Sequence, residues 1–122
     1  MRCAREALAD TPEGVGQTFA VMLPDDFIDA PGDGCLADMV GLYRETGAWS
    51  LAVEEVPREK TDRYGVVSLS GDRITAMVEK PKPADAPSNL AVVGRYVLTN
   101  RIFSCLEKIG KGAGGEIQLT DG

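Results

Sequence analysis

The stretch TFAVMLPDDFID, residues 18–29, sets the predicted fold, because it runs an apolar segment into a proline and two adjacent aspartates. The continuous apolar run at 18–23 is typical of a strand in the middle of a parallel sheet that is covered on both faces. Ligands of open α/β sheets bind beyond the carboxyl ends of the strands. Asp25 and Asp26 follow such an end, so they can face a ligand; a solvated turn or a helix N-cap is the alternative explanation.

Strands and helices alternate along the rest of the chain. Apolar residues at helical spacing predict a helix at 35–46 that Gly47 ends. A short polar link predicts that the strands at 64–69 and 74–79 form an antiparallel hairpin, and three prolines place residues 81–89 outside the sheet. The other predicted elements are strands at 50–56 and 90–98 and helices at 1–9 and 100–109.

This order of elements predicts an α/β fold with a mixed, mainly parallel, Rossmann-like sheet and an inserted β-hairpin. A doubly wound sheet normally opens with a strand, a tight glycine loop and a helix. This chain instead opens with a predicted helix and stops directly after LTDG. We therefore expect the sheet to be incomplete at both ends, with residues 1–122 forming the central part of a single larger domain.

Composition excludes several classes of function. Lys and Arg number 13 against 19 Asp and Glu, a net charge of −6 without a basic stripe, which argues against a nucleic acid partner. The apolar runs are too short to cross a bilayer, and no secretory signal is visible. The three cysteines are widely spaced and histidine is absent, so a Cys/His zinc site and imidazole catalysis are excluded. We expect reduced core thiols in a cytoplasmic protein.

Glu79 and Lys80 follow a predicted strand in the same way as the aspartates do. A carboxylate accepts hydrogen bonds from sugar hydroxyls, and an ammonium group is a compact charge suited to a phosphate. Successive residues of an extended strand point to opposite faces, so both can reach one ligand only if the chain bends there. Pro81 makes that bend plausible; an exposed charged pair at a strand end is the alternative.

Three further positions are candidate site residues. Asp121 follows alternating Ile117 and Leu119, and could either bind a metal or cap a helix. The strand-end carboxylate of Asp25 could already ligate Mg²⁺, which prefers hard oxygen ligands. Gly65 and Gly94 lie inside predicted strands, where glycine is costly unless a bulge or a close ligand approach requires it.

The segments LPDD, YGVV, VEKPKP, APSNLAVVGRYVLT and GEIQLTD, in this order and spacing, closely resemble those of the bacterial UTP:glucose-1-phosphate uridylyltransferases, also called UDP-glucose pyrophosphorylases. The resemblance covers nearly the whole chain. It implies a nucleotidyltransferase that converts UTP and glucose 1-phosphate into UDP-glucose and pyrophosphate with Mg²⁺, and that forms a homo-oligomer. Such phosphoryl-type transfer depends on positioning and charge neutralisation, so it does not require histidine.

The resemblance also implies roles for single residues. Asp25 resembles the catalytic metal ligand beneath the nucleotide phosphates, and Asp121 its second carboxylate. Glu79 resembles the acceptor of sugar hydroxyl groups, and Lys80 the catalytic phosphate anchor. The backbone amides of two glycines would meet the glucose, namely Gly65 and Gly94.

The family's glycine-rich nucleotide loop and its uracil-reading residues precede the equivalent of Met1, and a further lysine and its subunit-contact helices follow the equivalent of Gly122. We therefore expect the 122 residues to carry the sugar-phosphate half of a site and to be inactive alone. Two alternatives stay open. One is another sugar-1-phosphate nucleotidyltransferase that uses dTTP or CTP. The other is a non-catalytic module that binds sugar phosphate or assembles with a partner chain.

Overall fold

The computed structural model describes residues 17–25, 27–29 and 31–108. The helix predicted at 1–9 lies outside these residues. The described elements, in chain order, are β1 (Thr18–Met22), α1 (Cys35–Thr46), β2 (Ser50–Glu55), a 3₁₀ helix (Arg58–Arg63), β3 (Gly65–Ser70), β4 (Arg73–Glu79), β5 (Leu90–Thr99) and α2 (Arg101–Lys108).

The sheet is organised around β5, which pairs with β1, β2 and β3. Tyr96 and Val97 pair with both β1 and β2, so those two strands lie on opposite edges of β5. Leu90 and Ala91 pair with both β2 and β3, so β3 lies on the same edge as β1, farther along. β4 completes the sheet by pairing with β3. One edge of β5 thus carries the end of β1 and the start of β3.

The prediction of a mainly parallel sheet is wrong, because every strand pair of the described residues is antiparallel. The crossover through α1 does make β1 and β2 run in the same direction, as a βαβ unit should. They are not neighbours, however, because β5 lies between them and runs the opposite way. The mixed α/β class and the inserted hairpin are confirmed.

The exposure of β1 also differs from expectation. Its residues alternate between exposed and half-buried, which is the pattern of a strand with one covered face rather than two. Buried residues concentrate in β5, which has neighbouring strands along both of its edges. Within the described residues the core therefore lies at β5.

Packing of α2 against β5 builds the main hydrophobic cluster. Ile102 and Phe103 of α2 are buried, and the Phe103 ring stacks on Phe19 of β1 with centroids 5.7 Å apart. Burying side chains of this size stabilises the fold by about 1.5 to 3 kcal/mol each. The other buried members of the cluster are Val67, Val92, Tyr96 and Leu98.

The predicted bounds of α1 are confirmed at both ends. Gly47 adopts a left-handed conformation and its N–H donates to the carbonyl of Tyr43 at 2.7 Å, which closes the helix. Of the predicted apolar stripe only Met39 is fully buried, while the others are half-buried: Leu36, Val40 and Tyr43.

Connections between the later strands follow the prediction in part. Gly71 and Asp72 join β3 to β4, so the antiparallel hairpin is confirmed. Residues 81–89 contain no strand, as expected. The 3₁₀ helix at Arg58–Arg63 was not predicted, because its charged sequence lacks an apolar period. Arg58 secures it to the proline-rich loop by donating to the carbonyl of Ala86 at 2.9 Å.

Two compositional predictions can be examined in the described residues. Cys35 and Cys105 are free thiols, but both are half-buried rather than fully buried in a core; Cys3 lies outside the described residues. No helix in the described part of the chain is long and apolar enough to cross a membrane.

Candidate functional site

The end of β1 leads the chain from the sheet into an exposed turn. The Leu23 N–H donates to the carbonyl of Gly94 at 2.9 Å, which extends the pairing with β5 by one residue. Pro24 and Asp25 follow in the turn, and Asp25 is exposed. The other predicted carboxylates of this region, Asp26 and Asp121, lie outside the described residues. The turn that leaves the sheet beside Gly94 therefore carries one described carboxylate.

Gly94 lies at an irregularity in β5, as the sequence allowed. Between the pairs Leu51–Tyr96 and Val53–Val92, β5 contains the three residues 93–95 where β2 contains one. Gly94 has a φ of +49° there and is buried. A bulge with a left-handed residue redirects the local backbone, and such features recur beside binding sites.

A second group of predicted residues meets where β3 begins and β4 ends. Glu79 pairs directly with Gly65 across the hairpin. The N–H of Lys80 donates to the carbonyl of Tyr64 at 2.9 Å. Lys80 has a φ of +46°, and no other non-glycine residue of the described chain has a positive φ. The bend inferred from Pro81 is therefore real and lies at Lys80 itself.

β5 brings the two groups to one region of the sheet. Leu23 contacts β5 at Gly94, whereas β3 pairs with it from Val66 opposite Ala91. The two contacts lie on the same edge, three residues apart or roughly 10 Å along the strand. We call this interval, between the end of β1 and the start of β3, the edge gap. Asp25 leads away from one side of it, and the hairpin end with Glu79 and Lys80 forms the other.

Comparison with known proteins identifies the family of this chain. Residues 2–122 match the nucleotidyl transferase family. The chain belongs to the nucleotidyl transferase family. It is 46% identical, over 98% of its length, to the UTP--glucose-1-phosphate uridylyltransferase of Komagataeibacter xylinus, and 48% identical, over 86%, to that of Pseudomonas aeruginosa.

A solved relative has the same fold over the region that it shares with this chain. The crystal structure of UDP-glucose pyrophosphorylase complexed with UDP-glucose superposes with a TM-score of 0.79 at 44% identity, covering 85% of this chain and 42% of that one. The chain spans about two fifths of the length of the curated relatives, 41% for K. xylinus and 40% for P. aeruginosa. The match therefore identifies a family and a fold over the shared region.

The described donor set of this chain fits magnesium in part. Mg²⁺ usually takes one or two protein carboxylates and completes its shell with water and phosphate oxygens. Asp25 supplies one hard oxygen donor, exposed at a strand end where water and phosphate can approach. No three Cys, Asp or Glu side chains gather into a metal cage within residues 17–25, 27–29 and 31–108.

Arg95 is a further residue of the edge gap, and the sequence analysis missed it. Its guanidinium Nη1 donates to the carbonyl of Leu23 at 3.0 Å and to that of Gly94 at 3.1 Å. One sequence signal could have revealed it. An arginine within the apolar strand LAVVGRYVLT needs hydrogen-bond acceptors, because burial of an unpaired charge is unfavourable.

An apolar groove of about 510 Å³ lies elsewhere on the nucleotidyl transferase fold. It contains none of the predicted site residues. Its walls come from the end of α1, the start of β2 and the tip of the β3–β4 hairpin, and include the exposed side chains of Leu42, Trp49, Leu69 and Ile74. Polar residues also line it, namely Thr46, Ser50, Asp72 and Arg73. Because the predicted site residues lie at the edge gap instead, the edge gap is the candidate functional site.

The backbone of Gly94 yields a prediction about stability. Gly94→Ala should lower the free energy of unfolding by about 1 to 2 kcal/mol, because its φ of +49° is unfavourable for any residue with a Cβ. Gly41→Ala is the matched control: Gly41 lies within α1, and a Cβ added there meets nothing within 4 Å. Alanine in a helix should raise stability by about 0.5 to 1 kcal/mol. Urea titration of both variants measures the difference, and equal shifts would contradict it.

Proposed function

We propose that the full-length protein carrying this sequence transfers a uridylyl group from UTP to glucose 1-phosphate, giving UDP-glucose and pyrophosphate. The observation that carries the proposal is the edge gap. The turn with Asp25 leaves one side of it beside the bulged Gly94 of β5, and the hairpin end with Glu79 and Lys80 lies on the other side, next to the start of β3. The names of the close relatives support the choice of substrates.

The sugar half of the proposed site uses backbone and carboxylate groups. Gly65 and Gly94 have no side chain, so a sugar ring can approach their backbone closely. Glu79 is half-buried and directly opposite Gly65. In the proposed complex its carboxylate accepts hydrogen bonds from glucose hydroxyls, which fixes the orientation of the ring.

The phosphate half of the proposed site depends on charge. An oxygen of glucose 1-phosphate attacks the α-phosphorus of UTP, a new O–P bond forms, and the bond to the departing pyrophosphate breaks. No proton has to be removed from the attacking phosphate, so the reaction needs alignment and charge neutralisation rather than a base. The ammonium group of Lys80 holds the sugar phosphate in line and offsets its negative charge.

Asp25 acts at the nucleotide side in this proposal. A bound Mg²⁺ would neutralise the charge on the triphosphate. Asp25 would hold it, with Asp121 as the predicted second carboxylate. Since Asp25 is exposed in the turn after β1, its carboxylate remains accessible to a ligand that also carries water and phosphate oxygens.

Substrate preference tests the proposal against its nearest alternatives. The full-length protein is expected to form pyrophosphate from UTP and glucose 1-phosphate with Mg²⁺ present, and to use dTTP and CTP at least about tenfold less well. This is the scale of one lost hydrogen bond, to the ribose 2′-hydroxyl for dTTP or to the base for CTP. Pyrophosphate release with each nucleotide measures this. Preference for dTTP or CTP would replace the substrate. Sugar-phosphate binding without turnover would favour the non-catalytic module.

The proposal also includes the cellular location and the oligomeric state. We place the protein in the cytoplasm, which the free thiols of Cys35 and Cys105 support, because unpaired thiols persist in reducing compartments. The homo-oligomer implied by the family resemblance is also proposed. Light scattering of the full-length protein would detect it, and a monomer at all concentrations would contradict it.

A further inference from the structure

Arg95 occupies the point at which β1 stops pairing with β5. Its backbone lies opposite Met22 in the register of the two strands. Its side chain extends one residue farther, and Nη1 donates to the Leu23 carbonyl at 3.0 Å. The same nitrogen donates to the Gly94 carbonyl at 3.1 Å, an oxygen that also accepts the Leu23 N–H at 2.9 Å. One guanidinium group thus joins Leu23, the residue directly after β1, to the bulge in β5.

These contacts control two backbone segments at once. Charge-assisted hydrogen bonds are roughly twice as strong as neutral ones, and the planar guanidinium group holds its donors in a fixed arrangement. On one side the bond to Leu23 sets the direction in which the chain enters Pro24 and Asp25. On the other side the bond to Gly94 supports a left-handed residue that the strand would not otherwise favour.

We propose that Arg95 is a positioning residue that holds the Asp25 turn and the Gly94 bulge in a fixed relation across the edge gap. The inference rests on the proposed function, because that function assigns Asp25 to the nucleotide side and Gly94 to the sugar side. Arg95 touches neither substrate in this role. It acts through two carbonyl groups of the backbone, so its loss affects both halves of the site together.

Arg95→Met in the full-length protein tests the inference, since methionine removes the donors and retains an unbranched side chain. We expect about tenfold weaker binding of glucose 1-phosphate by calorimetry and an about tenfold higher half-saturating Mg²⁺ concentration, the scale of one lost charge-assisted bond. We also expect faster amide hydrogen exchange in residues 18–25. Arg101→Met, at an exposed position at the start of α2, is the matched control and should change none of these.

A conservative variant keeps the test informative if Arg95→Met does not fold. Arg95→Lys retains the charge, but its donor nitrogen ends one bond earlier and is not held in a planar group. It should therefore show the same two losses to a smaller degree. If either folded variant keeps both affinities and the parent exchange rate, the inference is wrong. The exchange measurement separates this failure from that of the proposed function: a parent protein that makes no UDP-glucose removes the function, while faster exchange in the variant would still support the positioning role.

Discussion

Lys80→Ala is expected to lower the affinity for glucose 1-phosphate by about a hundredfold and to leave UTP binding nearly unchanged. The ammonium group is the proposed phosphate anchor, and one charge-assisted contact accounts for a loss of this size. Lys80→Gly should lose the same affinity yet be more stable than Lys80→Ala by about 1 kcal/mol. Glycine relieves the backbone strain at a φ of +46°, whereas alanine keeps it.

Lys82→Ala is the matched control for both variants, because Lys82 is also exposed and lies two residues away. It should retain the affinity of the parent for glucose 1-phosphate. Calorimetry with each substrate and urea titration of the three variants supply the measurements. Equal losses in Lys80→Ala and Lys82→Ala would show that general positive charge, rather than an anchored ammonium group, attracts the phosphate.

Asp25→Asn is expected to reduce UDP-glucose formation by about a hundredfold or more and to raise the Mg²⁺ concentration needed for half-maximal nucleotide binding. Asparagine keeps the size of the side chain but removes the negative charge that binds a divalent cation. A catalytic metal ion stabilises the transition state by several kcal/mol, so the loss in rate should be large. The free energy of unfolding should change little, because Asp25 is exposed in a turn.

Asp29→Asn provides the comparison, since Asp29 is exposed in the same loop and is not part of the edge gap. Its turnover and metal dependence should match those of the parent. Magnesium titrations monitored by turnover and by calorimetric nucleotide binding distinguish the two variants. Undiminished metal and nucleotide binding in Asp25→Asn would remove Asp25 from the proposed site.

Local signals explain the features that the sequence predicted well. The bounds of α1 are correct because an apolar stripe and Gly47 act within one helix. The β3–β4 hairpin follows from its two-residue turn at Gly71 and Asp72. Each of these signals depends on residues a few positions apart, so no knowledge of the remaining chain is needed to interpret them.

Candidate residues were predictable where the residue type is unusual for its position in a strand. A glycine inside a strand indicated a bulge or a close approach, and Gly94 has the positive φ of a bulge. The need for a bend after Glu79 pointed to Pro81, although the unusual backbone lies one residue earlier, at Lys80. The roles of Asp25, Glu79 and Lys80 stay predictions, and Asp121 lies outside the described residues.

By itself the sequence determined the described strands and α-helices to within one residue at each end, together with the hairpin, because hydrophobic period and turn chemistry act over short distances. It also indicated the strand ends at which acids and a lysine follow apolar runs. Only the tertiary structure decided that β5 separates β1 from β2, that the sheet pairs are antiparallel, and that Arg95 joins Leu23 to Gly94. Arg95 and Leu23 are 72 positions apart in the sequence. A contact of this kind depends on which strands become neighbours in the sheet, and no local sequence pattern encodes that pairing.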